Sequence, residues 1–121
     1  MIKALKFATV HVRDQQRALE FYTRKLGFQV TTDQAMGPDQ RWIELSVNGR
    51  GSGIVLFTPP GQADRIGTFS GISYECDDVE KTHDELVARG VEFTQPPKKE
   101  PWGTFCVFKD VDGNQFVLSS K

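Results

Sequence analysis

An α+β fold of two βαβββ modules is predicted for this chain of 121 residues, on three observations. The first is a repeat. At one shift of 63 positions Asp14 meets Asp77 and Gly27 meets Gly90, while Phe28 and Val30 meet Val91 and Phe93. The second is that each copy reads strand, helix, glycine stop, strand. The third is that each copy is followed by more strand-like chain with turn signals between the runs.

The first strand is expected over Phe7 to Val12, with Asp14 as the N-cap of a helix. Ala18, Leu19, Phe21, Tyr22 and Leu26 recur at helical spacing, and Gly27 supplies the left-handed residue that ends the helix. Strands follow over 28–33, 41–47 and 53–58, with Asn48-Gly49 as a turn signal. Pro59-Pro60-Gly61 through Gly67 reads as a linker, which puts module one at about 1–58 and module two at about 68–121 of a single domain. In the second copy Asp77 and Glu80 have capping-box spacing, Val79, Leu86 and Val87 are expected to face the core, and Gly90 stops the helix. Strands are expected over 91–95, 103–109 and 114–120, with Asp110 to Asn114 as the last turn. Each sheet is expected to be rich in antiparallel pairs and to carry its helix on one face.

Composition narrows the partners. Fifteen basic and sixteen acidic side chains give a net charge of −1, which offers no broad basic face to nucleic acid or an anionic membrane. No run approaches the length of an apolar membrane span, and the N-terminal residues lack the apolar core of a signal peptide. Cys76 and Cys106 show no metal or disulfide spacing, so two reduced thiols in a cytoplasmic protein are expected.

The strand before Asp14, Phe21-Tyr22 in the helix, Leu26-Gly27-Phe28 after it, and Gly90-Val91 with Asp110-Val111-Asp112-Gly113-Asn114 near the end form a set. Together they resemble the vicinal-oxygen-chelate superfamily, which contains glyoxalases, bleomycin-resistance proteins and dioxygenases. Val111 stands where that family usually has proline, which should loosen the turn without changing it. The resemblance implies curled sheets that pair, often across a homodimer, to enclose a cavity. Its active members hold a divalent metal through one ligand from the first and one from the last strand of each module. The corresponding positions here are Phe7, Leu56, Gly71 and Val117, none of which can ligate a metal. The resemblance therefore implies no metal and no cofactor, and a member of the ligand-sequestering kind rather than a metal-dependent glyoxalase or dioxygenase.

Side chains alternate along a strand, so the cavity face can be read by parity. Phe7, Thr9 and His11 face it from the first strand, while Ala8, Val10 and Val12 take the helix side. Trp42 and Glu44 face it from the third strand, Glu75 from the fifth, and Gln115 from the last, with Trp102 at the mouth. Leu56 is placed on the same face through its metal-position correspondence. Parity for Phe105 to Lys109 is ambiguous, so Cys106 is left unassigned. An aromatic wall with a few polar groups suits a small, mostly apolar ligand.

Blander readings stand beside these. Trp42 and Trp102 would also pack at a dimer interface, Glu44 would also serve as a solvated charge, and Glu75 would also pair with Arg13 or Arg41. His11 would also be a hydrogen-bonded structural residue, and His83 a packing residue on the second helix. Asp110 to Asn114 starts like an EF-hand loop but lacks its glycine and its closing glutamate, since Lys121 ends the chain. Gly49 to Gly53 lies between strands and reads as a hairpin, not a phosphate cradle. Three functions follow. The leading one is a homodimeric protein that sequesters a hydrophobic or aromatic small molecule without metal. The second is a metal-independent lyase or isomerase in which His11 with Glu44 or Glu75 moves a proton. The third is a pseudo-enzyme that only associates with protein.

Overall fold

Apolar residues at every second position build β1 (Phe7–Val10), whose Val10 is buried. Asp14 then caps α1 (Gln15–Glu20), its carboxylate accepting from the Arg17 N–H at 3.0 Å. The computed structural model describes residues 1–49 and 51–120. Arg50, within the expected hairpin, and Lys121, used against an EF-hand, lie outside the described residues. The helix continues as one wider π-helical stretch, Phe21–Lys25, where a regular α-helix was expected. There the Thr23 hydroxyl donates back to the Leu19 carbonyl at 2.7 Å, and Phe21 and Tyr22 are both buried. Gly27 follows with φ of 77°, the left-handed stop that the sequence calls for.

The chain divides into two units, Met1–Ile66 and Gly67–Lys121, so the division falls at the end of the expected linker. The first unit holds one sheet in the order β1-β4-β3-β2, with β2 (Gln29–Ala35), β3 (Arg41–Ser46) and β4 (Gly53–Leu56). β1 and β4 run parallel, and the other pairs are antiparallel. Gly53 is required where β4 meets β3, because a Cβ there would collide with the Leu45 carbonyl. Val10, Ala18, Tyr22, Ile43, Leu45, Ile54 and Leu56 form the core between the helix and one face of this sheet. Gln15 locks that packing: its side-chain amide donates to the Arg41 and Leu56 carbonyls at 2.6 and 2.8 Å and accepts from the Arg41 N–H at 3.0 Å.

The second unit repeats the plan. Its sheet runs β5-β8-β7-β6, with β5 (Phe69–Glu75), β6 (Glu92–Glu100), β7 (Gly103–Lys109) and β8 (Gln115–Ser119), and β5 and β8 are the parallel pair. Each unit is therefore an α+β βαβββ module, as the repeat implied. α2 (Val79–Ala88) is capped by Asp78, whose carboxylate accepts from the Lys81 N–H at 3.0 Å, and not by Asp77. The reason is that the Cys76 N–H still bonds the Ser119 carbonyl at 3.0 Å, so the strand lasts one residue longer before the chain turns. Val87, expected in the core, is 49% exposed, because Val79 and Leu86 already fill the narrow buried stripe of the helix.

The core of this unit is aromatic. Tyr74, Phe108 and Phe116 lie with ring centroids 5.5 to 6.1 Å apart, and Phe93 joins them between Phe108 and His83. The turn from Asp110 to Asn114 is closed from within: Asp110 accepts from the Asp112 and Asn114 N–H groups at 2.9 and 3.0 Å. The Asn114 amide donates to the same carboxylate at 2.9 Å, and its oxygen accepts from the Gly67 N–H at 2.7 Å. This is a hydrogen-bonded turn. No helix among the described residues is long and apolar enough to cross a membrane.

Candidate functional site: the open sheet faces

Partners in register share a sheet face, and this fixes the parity that sequence alone leaves open. In the first unit Thr9, Val55, Glu44 and Thr32 form one row across all four strands. Phe7 and Trp42 meet on this face at 5.6 Å, edge to face, and Trp42 meets Phe57 at 5.5 Å. The Trp42 indole N–H donates to a Glu44 carboxylate oxygen at 2.7 Å. Phe7, Thr9, Trp42 and Glu44 are thus brought to the face on which parity put them, all half-buried.

Leu56 is not. It pairs with Val10, is fully buried, and packs on the helix side. The residues of β4 and its extension that share the face with Trp42 are Val55 and Phe57, so placing Leu56 there was out by one residue, which on a strand exchanges the faces. Val55 also carries no metal-ligating atom. Among the described residues no group of three or more His, Cys, Asp and Glu side chains is arranged to hold a metal ion.

His11 follows β1 with the parity of Phe7 and Thr9, and its pKa is lowered from 6.5. Burial is the main cause, the Arg65 charge adds to it, and Asp64 offsets part of it. The charges acting on the imidazole therefore come from the short 3-10 turn Ala63–Arg65 and not from Glu44. Arg41, offered as a partner of Glu75, is instead bound by Asp33, with contacts of 2.6 and 3.0 Å that hold the Asp33 carboxyl below its usual range.

In the second unit Glu75, Ser119, Phe105 and Lys98 form a row, and Ser73, Val117 and Val107 form the next. Trp102 stacks on Phe105 at 5.9 Å and is 59% exposed. With Glu75, Ser73 and Ser119 it borders a hollow of about 300 Å³. Gln115 shares this face and accepts from the Thr94 hydroxyl at 3.2 Å. Cys106, left unassigned by parity, pairs with Leu118 on the core side and is fully buried. Burial pushes its thiol up to about 12, which keeps it protonated and unreactive.

Three site residues escaped the sequence reading: Val55, Phe57 and Phe105. Strand register reveals Val55 and Phe105, which lie in strands with apolar residues on both faces, and the ring contact with Trp42 reveals Phe57 just beyond β4. A separate cleft of about 620 Å³ opens in the first unit beside Arg13, Asp14, Gln16, Gln40 and Thr58. Its lining mixes both signs of charge.

Two βαβββ modules, each with a mixed four-stranded sheet and a helix on one face of it, define the class. The sequence model of the Glyoxalase/Bleomycin resistance protein/Dioxygenase superfamily matches residues 4–118, and the chain belongs to this superfamily. It is 37% identical to the uncharacterized protein YetH of Bacillus subtilis (strain 168) over 118 residues, which cover 98% of each chain. A superfamily member from Sphaerobacter thermophilus DSM 20745 is similar in structure, with a TM-score of 0.90, 35% identity and coverage of 99% of this chain and 98% of that one. TnmS3, an antibiotic-binding protein from Streptomyces sp. CB03234, superposes with a TM-score of 0.84 at 31% identity, covering 98% of this chain and 96% of its own.

Proposed function

We propose that this protein binds and sequesters a small, mostly hydrophobic or aromatic compound on its open sheet faces, without a metal or cofactor. The observation that carries the reading is the Phe7–Trp42–Phe57 aromatic surface with Glu44 fixed to the Trp42 indole. Apolar walls with a few oriented polar groups are what small-molecule sites require. Thr9 and His11 border this surface in the first unit, and Glu75, Trp102 and Gln115 supply the second. The antibiotic-binding relative TnmS3 supports a binding role at the level of the family. Metal independence rests on the residues themselves, since Phe7, Val55, Gly71 and Val117 offer no ligating atom at the strand positions concerned. The test is a thermal melt of chelator-treated protein with a neutral three-ring aromatic, 2-anthracenemethanol. Ligand at about 100 times its dissociation constant stabilises by roughly 2.7 kcal/mol. A melting point that rises only when a divalent metal is restored overturns the reading.

We also propose that the chain acts in the cytoplasm as a homodimer, because aromatic open faces and unpaired strand edges are costly to leave in water. Light scattering at micromolar concentration should return twice the 13.6 kDa of one chain. A mass of one chain contradicts this.

A further inference from the structure

Building on the binding role just proposed, we infer that Glu44 sets the charge of the ligand, and that the compound held on the first unit's open face is a planar aromatic cation. The same sheet supplies the comparison. Asp33, on the neighbouring strand, is neutralised by the two-pronged contact with Arg41. Among the described residues the sheet neighbours of Glu44 differ from those of Asp33: in its row they are Val55 and Thr32, and along the strand on the same face they are Trp42 and Ser46. None carries positive charge. Its hydrogen bond from the indole uses one of about four acceptor sites on a carboxylate.

The indole does two things at once. Its N–H holds the carboxylate beside the ring, and its π face, flanked by Phe7 and Phe57, attracts cations. A flat cation laid on this surface gains stacking, a cation–π attraction and a charged hydrogen bond together. A flat anion gains the stacking and meets repulsion from Glu44. Glu44 is therefore the ligand-contacting residue, and Trp42 both contacts ligand and positions the carboxylate.

The test is calorimetry at about 0.15 M salt with three planar three-ring probes: proflavine as cation, 2-anthracenemethanol as neutral compound, and 2-anthracenecarboxylate as anion. The parent should bind proflavine at least about tenfold more tightly than the neutral probe, a difference of about 1.4 kcal/mol, and the anion most weakly. Glu44→Gln keeps the shape and removes the charge, so the cation-to-neutral ratio should fall by about tenfold or more. Trp42→Phe keeps a ring but frees the carboxylate, and should lower the same ratio. Thr32→Lys sets an ammonium across the ladder from Glu44 and should lower it with Glu44 intact, which serves if the glutamine variant fails to fold. Equal binding of all three probes by the parent overturns the inference and leaves the binding role standing. A ratio that survives both Glu44→Gln and Thr32→Lys overturns it equally. Binding of none of the three removes the binding role, and this inference with it.

Discussion

His11 and Asp33 show how single residues tie this fold to pH. Burial and Arg65 together lower the His11 pKa from 6.5, so the fold favours the neutral imidazole. In the window between the lowered value and 6.5, the unfolded chain holds more protons than the folded one. Stability contributed by His11 is therefore present above 6.5 and is lost as pH falls through that window. Asp33 acts in the same direction at lower pH, because Arg41 depresses its carboxyl. The melting temperature should consequently fall as the pH drops below about 6.5, and His11→Gln should flatten that part of the curve. A variant whose melting temperature follows the parent's slope across this range contradicts the role given to burial at His11. At the same scale, the identities of Phe7, Trp42 and Glu44 as open-face residues were legible, because Ala8 and Val10 in β1 and Ile43 and Leu45 in β3 mark the helix side and leave the intervening residues to the other face. Leu56 was misplaced through its correspondence to a metal-ligand position, and parity offered no check, because Ile54, Val55 and Leu56 are all buried and a strand that is apolar on both faces carries no parity signal.

Among the elements, the repeat carried most of the information. Asp14, Gly27 and Gly90 perform the roles that their residue types predict, and the two glycines adopt φ of 77° and 88°. The departures have local causes. Two adjacent aspartates both satisfy a cap pattern, and only the length of β5 decides for Asp78. The strand expected over 91–95 extends to Glu100 because β6 is an edge strand. Pro96 and Pro97 lack the N–H of an inner strand, and register shifts between Phe93 and Gln95 and between Gln95 and Lys98 accommodate them. The prolines, Lys98 and Lys99 also keep this edge from pairing further. The π-helical stretch had no sequence signature, since Phe21 and Tyr22 fit the apolar stripe of an ordinary helix equally well.

For the whole molecule, the fold and the family follow from the pattern of elements, while the ligand follows from neither. Superfamily membership fixes a βαβββ scaffold, and function depends on what each open face displays. Here the first face displays three rings and one carboxylate, and the second a tryptophan stacked on Phe105 beside Glu75. Burial keeps the Cys106 thiol protonated and away from both open faces. Binding on the aromatic faces can be followed directly through the chain's two tryptophans, one on each face. The decisive measurement is a fluorescence titration of two single-tryptophan variants with 2-anthracenemethanol. Trp102→Phe leaves Trp42 as the reporter, and its emission should be quenched saturably, with the same dissociation constant that calorimetry gives. Trp42→Phe reports the second face through Trp102 in the same way. Quenching of Trp42 that rises linearly with probe and matches that of free tryptophan in solution would contradict the account, because the aromatic surface of β1, β3 and β4 would then hold no ligand.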